Sequence, residues 1–242
     1  MAELPNGVKI TWLGHATFIL ETPSKKRLII DPWLKSNPVC PDEFKDPGPL
    51  DGILVTHGHG DHIGEGDLVD LAKSSGATTV AIIETAAWLS TKGIAEDQLI
   101  GMNIGGTVEV AGCRVHMTSA THSNSISDGG TTIYGGDPAG FVIEIENGFK
   151  IYHSGDTGVM SDMALIGKLL EPELALLCIG DHFTMGPRSA AEAIRMLGVK
   201  TVIPMHYGTF GLLTGTPEQL RQETKDIEGL EVVELEPGQT LG

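Results

Sequence analysis

The sequence predicts an α/β fold, a four-layer αββα sandwich of two sheets packed face to face with helices on both outer faces. Three observations predict it. Short apolar runs of strand length alternate with helix-period stretches, the second half of the chain repeats the order of the first, and histidines and aspartates stand at the ends of strand-like runs. Layered α/β proteins place functional groups at strand C-termini because the loops there gather at one edge.

Residues 17–33 read as a strand, a Ser24-Lys25-Lys26 turn, a second strand, and then Asp31-Pro32. Leu50-Asp51-Gly52-Ile53-Leu54-Val55 is the next strand; a helical pattern covers 67–74 and a strand covers 78–83. After Gly105-Gly106 the order restarts. Residues 139–158 read as a strand, a Glu146-Asn147-Gly148 turn, a strand, and then Asp156, and the apolar run 174–179 leads into Gly180-Asp181-His182. A helix is expected over 189–197, where Ser189-Ala190-Ala191-Glu192 has the capping-box pattern and Gly198 suits the C-terminal cap. Beyond a strand at 201–204, Thr216-Pro217-Glu218 opens a helix to about Lys225, with proline at its first position. The halves divide at about 1–105 and 106–242. Because the candidate site residues come from both, one domain over 1–242 is expected.

Composition narrows the function. With 242 residues, 40% of them apolar, the chain is long enough for one sizeable core. No apolar run reaches the roughly 18 residues of a membrane helix, so no membrane partner is expected. Residues 1–7 have neither a basic start nor an apolar stretch, and a cytoplasmic location is the expectation. Cys40, Cys113 and Cys178 lie at no metal-ligand spacing, and the last two, in apolar runs, read as buried thiols. A net charge of −16 argues against nucleic acid, whose binding relies on Lys and Arg. A small-molecule substrate is expected, and a homo-oligomer is left open.

The most informative stretch is Thr56-His57-Gly58-His59-Gly60-Asp61-His62, directly after Ile53-Leu54-Val55. Neutral imidazoles and a carboxylate are the usual nitrogen and oxygen ligands of zinc and similar ions. The two glycines let the backbone fold tightly and turn several side chains toward one point. Further histidines and an aspartate end other strand-like runs: His122, Asp156, His182 and His206.

Together these residues resemble the metallo-β-lactamase superfamily of dinuclear metallohydrolases. Trp12-Leu13-Gly14-His15-Ala16, Ile30-Asp31-Pro32-Trp33, Tyr152-His153-Ser154-Gly155-Asp156-Thr157, Phe183-Thr184-Met185-Gly186-Pro187 and Pro204-Met205-His206-Tyr207 are similar to one group within it, bacterial and archaeal metal-dependent hydrolases related to the ascorbate-6-phosphate lactonases. The resemblance runs from about residue 8 to about residue 241. It implies the metallo-β-lactamase fold and two divalent ions per chain. His57, His59 and His122 would bind one, Asp61, His62 and His206 the other, and Asp156 would bridge them. Zinc or manganese comes first, with iron, cobalt and nickel compatible with the same donors. A metal-bridging hydroxide would then attack an ester, lactone or phosphodiester bond of a small substrate, which gives Asp61 a catalytic part as well.

Other polar residues carry two readings each. Asp31 resembles the family's aspartate that orients a ligating imidazole, or it is a turn former before proline. His15 and His182 either line the pocket as proton donors or oxyanion stabilisers, or are hydrogen-bonded structural histidines. His182 is the stronger candidate, since its run corresponds to the one that delivers His57. His153 and His116 read as structural, and Tyr207 either donates to substrate or turns inward. Residues 123–138, rich in Ser, Thr, Gly and Asp, are a surface loop or a mobile flap. The alternative function is a non-hydrolytic metalloprotein, redox or sensor, on the same fold. Redox relatives place a carboxylate at the His59 position and pair with a flavin domain, and this chain keeps the imidazole.

Overall fold

Side chains alternate across a strand, so a strand that is apolar at every position buries both faces and must lie between two layers. The computed structural model describes residues 3–242; the first two residues of the N-terminal stretch read above lie outside the described part. The first half holds β1 (Lys9–Trp12), β2 (Phe18–Glu21), β3 (Arg27–Ile30), β4 (Gly52–Leu54), α1 (Gly60–Ile63), α2 (Asp67–Ser75), β5 (Thr78–Ile82), α3 (Ile83–Thr91) and β6 (Leu99–Met102). The second holds β7 (Thr107–Val110), β8 (Cys113–Ser119), β9 (Ser125–Asp128), β10 (Thr131–Tyr134), β11 (Ala139–Glu144), β12 (Lys150–His153), α4 (Asp162–Leu170), β13 (Leu174–Cys178), α5 (Pro187–Leu197), β14 (Thr201–Met205), α6 (Pro217–Glu223), β15 (Glu231–Val232) and β16 (Thr240–Leu241).

Among the described residues the strands form two seven-stranded sheets and one hairpin. The first sheet runs β16-β1-β2-β3-β4-β5-β6 and the second β15-β14-β13-β12-β11-β8-β7. Each contains an antiparallel hairpin whose second strand starts a parallel series: β2–β3 then β4, β5 and β6, against β11–β12 then β13, β14 and β15. The repeat read in the sequence is this shared order. The exchange between halves was not foreseen: β16, from the far end of the chain, returns to the first sheet beside β1.

Alternation sorts the layers. Phe18, Leu20, Leu28, Ile30, Leu54, Val80 and Ile82 join a core shared with Val115, Met117, Phe141, Ile143 and Ile151 of the other sheet. Their neighbours Ile19, Ile29, Ile53, Val55 and Ala81 face outward, onto a second core with Leu68, Ala72 and Leu89 of α2 and α3. Helix α5 lays Ala190, Ala193, Ile194 and Leu197 on the opposite outer side. This is the four-layer αββα sandwich.

Local expectations fared unevenly. The Thr216 capping box is formed, with Gln219 completing it, although its helix stops at Glu223. Helix α5 begins earlier than the Ser189 pattern suggested: Gly186 is its N-cap and Pro187 its first residue, so Ser189 is already inside the first turn. Residues 123–138, expected as a surface loop or a mobile flap, contain regular structure. They form the β9–β10 hairpin, with Ile126 buried on the outer core and Asp128 accepting from Trp88 Nε1 at 3.0 Å.

Leu54 sits between the sheets two residues before the His loop and has no exposure, so Leu54→Ala should cost about 2–5 kcal/mol in urea unfolding of the metal-free protein. Thr216→Ala, which removes only a cap, should cost about 1 kcal/mol in the same measurement.

Candidate metal centre

The His loop leaves β4 in extended conformation through His57 and His59, and His59 becomes the N-cap of the one-turn helix α1. The turn brings Asp61 and His62 back beneath the two extended imidazoles. Of the two glycines, only Gly58 has a steric reason: a Cβ there would collide with Ile126 of the hairpin, whereas nothing lies near Gly60. Asn124 Oδ1 accepts from Gly58 N at 2.8 Å while its Nδ2 donates to Gly135 O at 2.8 Å, which ties the hairpin to the loop. No sequence signal pointed to Asn124.

Buried hydrogen bonds set the imidazole tautomers. Asp31 Oδ1 accepts from Thr56 N at 2.8 Å, and its Oδ2 accepts from Thr56 Oγ1 at 2.6 Å and from His62 Nδ1 at 2.7 Å. Since the one Thr56 hydroxyl proton goes to Asp31, His57 Nδ1, 3.0 Å from that oxygen, is the donor in their contact. Both rings therefore turn a bare Nε2 inward. Asp31 is the orienting carboxylate of the two readings given above.

The bare atoms converge on Asp156. Its Oδ2 lies 2.9 Å from His206 Nε2, 3.2 Å from His62 Nε2, 3.7 Å from His122 Nε2 and 4.0 Å from His57 Nε2. His57 Nε2 is also 3.0 Å from His59 Nδ1. Donors sharing a tetrahedral ion at ~2.0–2.1 Å stand ~3.3 Å apart, so these spacings suit ligation. Short as they are, several are not hydrogen bonds: His15 Nε2, His62 Nε2, both ring nitrogens of His206 and Asp156 Oδ1 are buried without a hydrogen-bond partner. Buried polar atoms left so cost free energy, and a cation at their focus relieves it. Three donor sets meet the spacing of a single ion: His57 with His59 and His122, His15 with Asp61, His62 and His206, and Asp31 with His57 and His62, where the Asp31 oxygens are already engaged by Thr56 and His62. The residues fit divalent-metal ligation.

Electrostatics agrees. Burial, then the neighbouring His62, holds His57 well below the usual imidazole range, and burial lowers His59 and His122 too, so these rings are neutral and ready to ligate. Burial would also lower His62, but Asp156 and Asp31 outweigh it and keep it well above. Asp156 resists burial in the opposite sense, held far below the carboxylate range by His206 and His62.

Of the residues nominated from sequence, His57, His59, Asp61, His62, His122, Asp156, His206, Asp31 and His15 are brought together. His182 is not. Asp181 and His182 are both left-handed, at φ 65° and 57°, and this reverses the chain so that the His182 ring is exposed and packs edge-on against Phe183. The connection from β13 to α5 turns sharply at Asp181 and His182, which leaves the His182 ring outside the cluster that the His57 loop enters. His153 is structural, donating from Nε2 to Ala16 O at 3.0 Å, and Tyr207 turns inward onto Trp12. Three residues were missed beside His15: Thr209 on its Nδ1 at 3.0 Å, Trp33 edge-on to its ring, and the half-exposed Phe210 covering it.

Comparison with known proteins follows the same lines. A family model described as Beta-lactamase superfamily domain matches residues 26–207. A metal-dependent hydrolase of Roseiflexus castenholzii is 48% identical over the whole of both chains, and one of Rubrobacter xylanophilus is 49% identical over 99% of this chain and 98% of its own. Among solved structures, Igni18, a metallo hydrolase from Ignicoccus hospitalis, superposes with a TM-score of 0.84 at 35% identity, covering 97% of each chain.

Asp31→Ala should weaken metal binding by about 10–100-fold in equilibrium dialysis while the fold persists. Metal-free stability should also fall with pH. Burial, followed by His206, lowers His15 to about 4 from 6.5, so between those values the unfolded chain holds the extra proton. Acidifying from pH 6.5 to 4 should therefore remove about 3 kcal/mol through this group, and urea unfolding of His15→Gln should show a flatter pH dependence.

Proposed function

The chain belongs to the Beta-lactamase superfamily domain family and is a metal-dependent hydrolase, and from that premise we propose that it holds two divalent ions and cleaves an ester, lactone or phosphodiester bond of a small substrate. The observation that carries this reading is the set of buried, partnerless ring nitrogens around one carboxylate. His57, His59 and His122 hold the first ion and Asp61, His62 and His206 the second. Asp156 stands within 4.0 Å of ring nitrogens from both groups, which suits a bridge because its two oxygens can serve two cations.

The bound pair supplies a water whose pKa is lowered from 15.7 toward ~7, and a Lewis acid for the substrate oxygen. The chain does the rest. Asp31 and Thr56 hold the tautomers of His62 and His57, and Asp61, 27% exposed, presents a carboxylate at the open side. Zinc or manganese suits a set with imidazole and carboxylate donors and no thiolate. A small substrate agrees with the net charge of −16, which opposes long polyanions. No helix of the described residues is long and apolar enough to cross a membrane. Three buried thiols without disulfides suit a cytoplasmic setting. An imidazole at His59 argues for hydrolysis over redox chemistry.

Elemental analysis should give two metal equivalents per chain. Asp156→Ala should lose most of the second equivalent together with activity against a panel of lactones, esters and phosphodiesters. Retention of two tightly held ions by that variant would remove Asp156 as the bridge.

A further inference from the structure

One imidazole outside the seven assigned ligands shares their surroundings. His15 follows β1 and has no exposure, and its ring centroid lies 3.9 Å from that of His206 and 5.6 Å from that of His62. Its backbone is held left-handed, at φ 56°, and its carbonyl accepts from both Trp12 Nε1 and His206 N at 3.0 Å. These bonds stitch the end of β1 to the end of β14 and fix where the ring stands.

The tautomer decides what the ring can do. Thr209 Oγ1 lies 3.0 Å from His15 Nδ1 and 3.4 Å from Tyr207 O; when a ligand occupies Nε2 the ring proton sits on Nδ1, where that hydroxyl accepts it. Nε2 is then a bare lone pair. It is buried, has no hydrogen-bond partner, and lies 3.3 Å from Asp61 Oδ2. Two acceptors facing each other at that distance repel unless a cation lies between them. Either a proton on Nε2, with Thr209 then donating to Nδ1, or a divalent ion can occupy that gap. One donor atom from each of His15, Asp61, His62 and His206 lies within 4.8 Å of the other three.

We propose that His15 Nε2 is a ligand of the second divalent ion, alongside Asp61, His62 and His206, with Thr209 fixing its tautomer. This rests on the two-ion reading above and deepens it. The two positions then differ in donors: three imidazoles and the shared Asp156 at one, three imidazoles with Asp61 and the shared Asp156 at the other.

Calorimetric titration of metal-free protein with Zn(II) tests this, paired with visible spectra of the Co(II) forms. His15→Ala should weaken one binding step about tenfold or more, leave the other unchanged, and alter the Co(II) bands. Thr209→Val should weaken the same step by a smaller factor, and far-UV circular dichroism checks that each variant folds. Wild-type affinities at both steps with an unaltered Co(II) spectrum would overturn the proposal even if turnover fell, as would equal weakening of both steps. If His15→Ala does not fold, Thr209→Val decides, and unchanged binding there overturns it. Should the wild type bind one ion only, the two-ion reading fails by itself, and His15 stands or falls on whether its removal weakens that ion.

Discussion

The carboxylate of Asp31 is the tie on which the geometry of the centre depends. It has no exposure, and its two oxygens take three donors, from Thr56 twice and from His62 once. A buried charge is tolerable only when its lone pairs are met in this way. Because Thr56 opens the His loop and His62 closes it, one side chain pins both ends of a seven-residue span. It also decides which nitrogen of His57 and His62 carries the proton. A ring free to exchange tautomers would offer the wrong atom part of the time.

Backbone strain is distributed in the same way. His15, Asp31 and His206 each follow a strand directly or nearly so and each is left-handed, at φ 56°, 48° and 56°, where non-glycine residues are disfavoured. The cost is offset by bonds such as Asp31 N to Leu54 O and His206 N to His15 O. Strain alone does not mark the centre, because Asp181 and His182 are equally left-handed and exposed. What separates the two cases is burial and the absence of partners for the ring atoms.

Much of this was legible in the sequence because it depends on order and spacing. The run Thr56 to His62 announces a metal loop, and Asp156 and His206 end apolar strands whose direction is set by the parallel pairing of β12, β13 and β14. The hairpin β9–β10 was read as a loop because its polar residues conceal the buried Ile126 and the Asn124 anchor. Helix α3 went unread because its apolar residues wrap around it rather than forming a stripe, with Ile83 exposed and Leu89 buried. His182 and His15 were both left with two readings. Both stand in left-handed turns; burial separates them, His15 having no exposure and His182 being exposed, and no composition rule encodes which way a turn carries its ring.

The return of β16 to the first sheet has a kinetic meaning. Thr240 meets Thr11 across 229 positions of chain, and Gly238 N donates to Trp12 O directly ahead of the turn that carries His15. During synthesis β1 has no outer neighbour until residue 240 has left the ribosome, and its edge stays open until then. The β1 edge is therefore closed last, by the strand most distant from it in the chain.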